Sequence, residues 1–225
     1  MNSPIDLNQP GAPMGDWDLI DEQRDFLVVY KPPRLLSVPG IGPEKQDCLI
    51  RRVMLEFPEA RIVHRLDWDT SGLLLLARNA RAHSFLSQAF ANRTVDKTYR
   101  ARIDQPINPE SGSIDLPIGK DFTRPPRYQI DHERGRPSLT HYETAFTNAD
   151  GTTLILKPIT GRSHQLRVHL LACGHPIQGD SLYHPNPERH TRLMLAAEAL
   201  EFPNPENAGQ TRLHYKHPAD FPAKS

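Results

Sequence analysis

Cysteine is scarce in this chain, with two among 225 residues, Cys48 and Cys173. That excludes a disulfide-held scaffold and fits a reducing cytoplasm, the expected location. Long apolar runs are missing as well. Without about 18 consecutive apolar residues a membrane-spanning helix is not expected. The N-terminus has no basic stretch leading into an apolar one, so export is not expected either. No charge of one sign dominates, since 27 basic residues balance 27 acidic ones, and the net balance therefore does not by itself call for a nucleic-acid partner. Locally, acid is missing. No Asp or Glu occurs between Gly151 and Gly179, where Lys157, Arg162, His164, Arg167, His169 and His175 stand. Asp96 is alone among Arg78, Arg81, Arg93, Lys97, Arg100 and Arg102. Two such basic blocks point to a polyanion.

Proline is plentiful at 22 residues, which stiffens loops and keeps helices short. Residues 1–15 have little to bury and are expected to form a disordered tail ahead of one domain over 16–225. Trp17 to Ile20 and Phe26 to Tyr30 read as two strands joined by a polar turn. Asp47 is expected to cap a helix with Leu49, Ile50, Val53, Met54 and Phe57 on its apolar face, and Asn79 a second one with Ala82, Phe85, Leu86, Ala89 and Phe90. Lys97 to Ile103 alternates as a strand, with Tyr99, Ala101 and Ile103 on one face and the cations on the other. Residues 104–138 read as a long irregular connection with a short strand near Ile114 to Leu116. Leu139 to Phe146 and Thr152 to Leu156 form an antiparallel pair turning at residues 148–151. Ser163 is expected to cap a helix from His164 to Cys173, and Leu193 to Ala197 is the last clear strand before a turn-rich tail. Strands outnumber helices and pair mostly as hairpins, so the fold class is α+β with a largely antiparallel sheet.

The stretch His64-Arg65-Leu66-Asp67-Trp68-Asp69-Thr70-Ser71-Gly72 sets a carboxylate beside two cationic candidates, with a turn expected at Gly72. It then runs into Leu73 to Leu76, which read as a strand buried on both faces. Opposite charge near Asp67 favours its ionised form, which suits a nucleophile or base. Asp67-x-Asp69-x-Ser71-Gly72 also opens like a calcium loop, but Arg78 occupies the position that needs a bidentate Glu. The same two aspartates resemble those of haloacid-dehalogenase phosphatases, whose magnesium-binding Gly-Asp-x-x-x-Asp fails here because His184 follows Gly179-Asp180 at the last place. His164, His169 and His175 lack zinc-site spacing and a nearby carboxylate. Tyr99 beside Lys97 and Arg100 offers a π-face for a base with phosphate contacts alongside.

Four ordered stretches resemble the RluA family of RNA pseudouridine synthases, and together they span Phe26 to Leu200. They are Lys31-Pro32 with Leu35 to Pro39, the Asp67 stretch, Lys97-Thr98-Tyr99, and Gly161 to His169 with Gly174 to Asp180. The resemblance implies a pseudouridine synthase fold, with a largely antiparallel mixed central sheet flanked by helices and loops. It implies that Asp67 is catalytic, that Tyr99 contacts the target base, that Arg167 pairs with the aspartate and that Arg65 helps take the uridine out of its stack. Arg162 and His64 join the substrate-binding set, with Arg162 facing phosphate. It further implies no cofactor and no metal. The small RluA subgroup it is most similar to acts on large-subunit rRNA and tRNA anticodon arms, so the partner is an RNA stem-loop, with no membrane and no obligate protein partner. A non-catalytic RNA-binding module on the same fold is the alternative. Two positions depart from the pattern: Arg34 stands where Gly is usual, and Ala196 where His is frequent.

Overall fold

The computed structural model describes residues 13–216, so most of the expected N-terminal tail lies outside the described residues. The chain divides into two units. Among the described residues, one takes in 13–95 and returns over 200–216, and the other is Asp96–Ala199.

In the first unit β1 (Asp18–Glu22) pairs antiparallel with β2 (Phe26–Lys31). A short helix α1 (Leu49–Val53) follows, then β3 (Arg61–Ile62) and β4 (Ser71–Ala77), which pairs with both β2 and β3. Every residue of β4 is buried, as a run of four leucines demands of a strand covered on both faces. Helix α2 (Ala80–Ala91) starts where expected, because the Asn79 side chain accepts the Ala82 N–H at 2.9 Å and so satisfies one of the helix's orphan donors. Its Ala82, Leu86 and Ala89 pack into a core cluster with Phe26, Val28, Leu73, Leu75, Leu200 and Phe202. Asp47 does not cap α1. Its carboxylate instead takes the Arg52 guanidinium at 2.8 and 2.6 Å, and Cys48 holds the cap position without a side-chain bond.

The second unit opens with β5 (Asp96–Ile103), followed by β6 (Ser111–Asp115), β7 (Ile118–Lys120), β8 (Tyr128–Ile130), β9 (Leu139–Asn148) and β10 (Gly151–Pro158). Strands β5, β10, β9 and β6 form an antiparallel sheet in that order, and β7 and β8 form a separate hairpin. Residues 104–138 therefore hold three strands rather than one. Helix α3 (Gln165–Ala172) and the start of β11 (Leu195–Pro203) complete this unit. Past Ala199, β11 belongs to the first unit, as does β12 (Arg212–Lys216), an element not expected from the tail. The α+β class and the mainly antiparallel pairing are as expected.

Half of the basic block from Arg78 to Arg102 is neutralised by acids of the fold. Arg78 binds Glu22 and Glu59, Arg81 binds Asp25, Arg100 makes a two-point bond to Glu198, and Arg102 is buried against Asn148. Arg100 and Arg102 thus lie opposite the apolar face of β5 as expected and bind an acid and an amide of the protein, whereas Lys97 shares the parity of Tyr99, Ala101 and Ile103 and donates to the Thr160 carbonyl at 3.5 Å.

Candidate active site

Asp67, Arg65 and His64 belong to the first unit, and Tyr99, Arg162 and Arg167 to the second. Asp67 is half-buried and opens a reverse turn in which its carbonyl accepts the Thr70 N–H at 3.2 Å. The turn expected at Gly72 therefore comes earlier, and Gly72 is already the second residue of β4, at φ 113, opposite Lys31. That φ lies in the region open to glycine.

Both neighbours of Asp67 are fixed through their backbones. Leu66 gives its N–H to Ser37 Oγ at 3.1 Å, and its carbonyl takes the Ser37 hydroxyl proton at 2.8 Å. Trp68 offers its carbonyl to Lys31 Nζ at 3.2 Å. The same ammonium group donates to the Pro32 and Leu35 carbonyls at 2.9 and 2.7 Å, and its side chain is fully buried. Three N–H donors meet three carbonyls, as a buried lysine requires. Lys31 and Ser37 thereby bind the Pro32 to Ser37 loop to the turn that carries Asp67. We expect Lys31→Met to lower both stability and activity. Each carbonyl left dry costs on the order of 1–3 kcal/mol, partly offset because a buried charge is removed. Thermal unfolding should shift down by roughly 5–10 °C, and an unchanged melting temperature would contradict the clamp.

Arg34 lies in this loop at φ 61. The left-handed conformation is open to glycine at no steric cost and strained for arginine, which gives a physical reason for glycine being usual there. Ala196 is buried within β11. Arg65 is exposed and carries no ion pair among the described residues. His64 corrects the expectation of a cation beside Asp67. Its Nε2 accepts the Leu75 N–H at 2.9 Å and its ring stacks on Phe90 at 4.4 Å, so the ring nitrogen facing Leu75 carries no proton. The imidazole fastens the loop to β4 and α2.

In the second unit Tyr99 sits on β5 opposite Leu156 and packs, partly buried, on a cluster that includes Ala101, Ile103 and Leu166. Arg162 is half-buried, and its Nε reaches the Pro137 carbonyl at 3.5 Å. Ser163 does not cap α3. His164 occupies the cap with a left-handed backbone, and Gln165 closes the turn instead, its Oε1 accepting the Arg162 N–H at 3.0 Å and the Thr160 hydroxyl at 2.7 Å. Gln165 Nε2 donates to Thr140 Oγ1, the Thr140 hydroxyl meets His169 Nδ1, and His169 Nε2 meets the Leu116 carbonyl, each at 3.0 Å. This chain of bonds needs a neutral, fully buried His169, and burial holds its pKa below the usual histidine value. As pH falls through about 6.5 the unfolded chain takes up a proton that the folded protein refuses. Stability is therefore complete above that pH and declines below it, by at most about 1.4 kcal/mol per pH unit for this one group. Melting curves between neutral and mildly acidic pH should show this decline, and in His169→Gln it should be reduced; an identical decline in that variant would contradict the assignment.

Arg167 has a partner that the sequence pattern did not reveal. Its Nε and Nη2 donate to the two carboxylate oxygens of Asp180 at 2.7 and 2.6 Å, and both side chains are buried. Asp180 also accepts the Leu182 and Tyr183 N–H groups at 3.0 and 3.2 Å. A magnesium site of the phosphatase type would need this carboxylate, which is already committed to a guanidinium and two amides.

A family model described as RNA pseudouridylate synthase matches residues 25–172. Two proteins named dual-specificity RNA pseudouridine synthase RluA are each 42% identical. The one from Yersinia pestis aligns over 203 residues, 89% of this chain and 98% of its own, and the one from Escherichia coli over 214 residues, 93% and 96%. Among solved structures, human RNA pseudouridylate synthase domain containing 1 superimposes with a TM-score of 0.75 at 31% identity, covering 90% of this chain and 83% of that one.

Proposed function

The chain belongs to the family of RNA pseudouridylate synthases, and from that premise we propose that Asp67 is the residue with which it isomerises particular uridines in a structured RNA. The protein is an isomerase that converts uridine to pseudouridine in RNA. The reaction breaks the C1′–N1 bond, turns the uracil and joins C1′ to C5, with the C5 proton lost to water and a proton gained at N1. An ionised carboxylate serves by attacking C1′ or by removing the C2′ proton, and either route needs the same group held still.

The observation that supports Asp67 most is the clamp on both sides of it, Ser37 on Leu66 and Lys31 on Trp68. It fixes the backbone from which the Asp67 side chain projects. By resemblance, Arg65 helps take the uridine out of its stack, Tyr99 contacts the extruded base and Arg167 supports the reacting carboxylate; His64 and Arg162 are proposed to join the substrate-binding set, with Arg162 at phosphate. Loop uridines are the favoured targets, because extrusion from a duplex costs a few kcal/mol that an unstacked base largely avoids. The resemblance to the small RluA subgroup supports large-subunit rRNA and tRNA stem-loops as the proposed substrates, in the cytoplasm. Carbodiimide mapping of pseudouridine in total RNA, with and without the gene, tests this. Loss of a signal in rRNA or tRNA on deletion supports the proposal, and an unchanged map refutes it.

A further inference from the structure

Tyr183 lies in the second unit, buried, and two guanidinium groups lie over its ring. Arg167 is 5.1 Å from the ring centroid and Arg127 is 4.9 Å from it. The phenol is fixed at its far end. Its oxygen accepts the Tyr128 N–H at 2.8 Å and meets His164 Nδ1 at 2.7 Å, while burial pushes its pKa up to about 12, so it remains a neutral pedestal.

The two cations differ in one respect. Arg167 is neutralised by Asp180. Arg127, at the start of β8, has no ion pair among the described residues, and its buried Nε has no hydrogen-bond partner. Two acids of this part of the unit are engaged elsewhere: Asp121 holds Arg124 and Thr123, and Asp131 accepts the N–H groups of Glu133 and Arg134. An arginine held over an aromatic ring has already lost much of its side-chain freedom, and its planar fork suits a phosphate. Arg127 as a whole is half-buried, so an anion arriving from outside would meet the open part of the residue rather than the buried Nε. The substrate of this protein is a polyanion.

We propose that Arg127, stacked on Tyr183, is a phosphate-binding residue for the RNA backbone, carried by the β7–β8 hairpin. The contact is electrostatic and independent of base sequence. It lies apart from the four motif stretches, in the segment the sequence pattern left irregular.

The test measures binding of a fluorescein-labelled RNA stem-loop with uridines in its loop, across a salt series, to the full chain and to three variants, each with its melting temperature. Arg127→Gln should raise Kd about fivefold or more and reduce the slope of log Kd against log salt by about one. Arg127→Lys keeps the charge and should retain the slope. Arg124→Gln changes the charge of the same hairpin by the same amount and should leave Kd within about twofold, because that cation is already paired. Equal weakening by the two Gln variants would reduce the effect to a diffuse field and overturn the proposal. So would an unchanged slope in Arg127→Gln, or a fall in its melting temperature with no change in slope, which would make Arg127 a structural clamp on the hairpin. Should Arg127→Gln not fold, loss of the slope in Arg127→Lys, which retains the cation, would equally overturn it.

Discussion

Asp67→Asn is expected to bind RNA within a few-fold of the wild type and to lose turnover by on the order of a thousandfold or more, the range seen when a reacting group itself is removed. Asparagine keeps the size and shape of the side chain while removing the charge that attacks or abstracts. The turn is held by backbone groups, Thr70 on the Asp67 carbonyl, Ser37 on Leu66 and Lys31 on Trp68. The variant should therefore melt close to the wild type, and its loss of activity is one of chemistry. Single-turnover assays on protein checked by mass for deamidation give the rate. A rate within about tenfold of wild type would remove Asp67 from the reacting position.

Arg167→Ala should damage the protein in two ways that Arg162→Ala does not. Arg167 and Asp180 form a buried two-point pair, and removing one partner of such a pair costs about 3–5 kcal/mol, because the other charge stays buried. The melting temperature should fall by roughly 10 °C. At a temperature where the variant is folded, its rate at saturating RNA should remain at least about tenfold low. Arg162 is half-buried and, among the described residues, its side chain reaches only a carbonyl at 3.5 Å, so Arg162→Ala should melt like the wild type. It should bind more weakly with a shallower salt slope, and recover its rate as RNA is added. If Arg167→Ala also regains the wild-type rate on adding RNA, its role in supporting the carboxylate is wrong.

The parts of this molecule that show in the sequence are those with local causes. The leucines of β4 announce a strand covered on both faces, and Asn79 announces the start of α2, because each depends on neighbours in the chain. The motif around Asp67 shows for the same reason. Lys31 shows only as part of the first motif stretch, and its burial does not show: the three carbonyls that hold it come from loop backbones that leave no mark on residue type. Asp180, thirteen residues beyond Arg167, is brought to it by the end of α3 and a turn, and no periodicity links them. Strands β7 and β8 have three residues each, too few for alternation to register. The signal for β12 was present, since Leu213 and Tyr215 alternate with cations and pack on the core.

The most direct measurement uses structured RNA carrying tritium at uracil C5 and follows its release into water by the purified protein. Formation of the C1′–C5 bond expels that hydrogen, so the wild type should release tritium to a plateau set by a small number of uridines, and Asp67→Asn should release none above background. Release by Asp67→Asn at the wild-type rate, or none by the wild type from large-subunit rRNA and tRNA, would contradict a uridine isomerase working through Asp67.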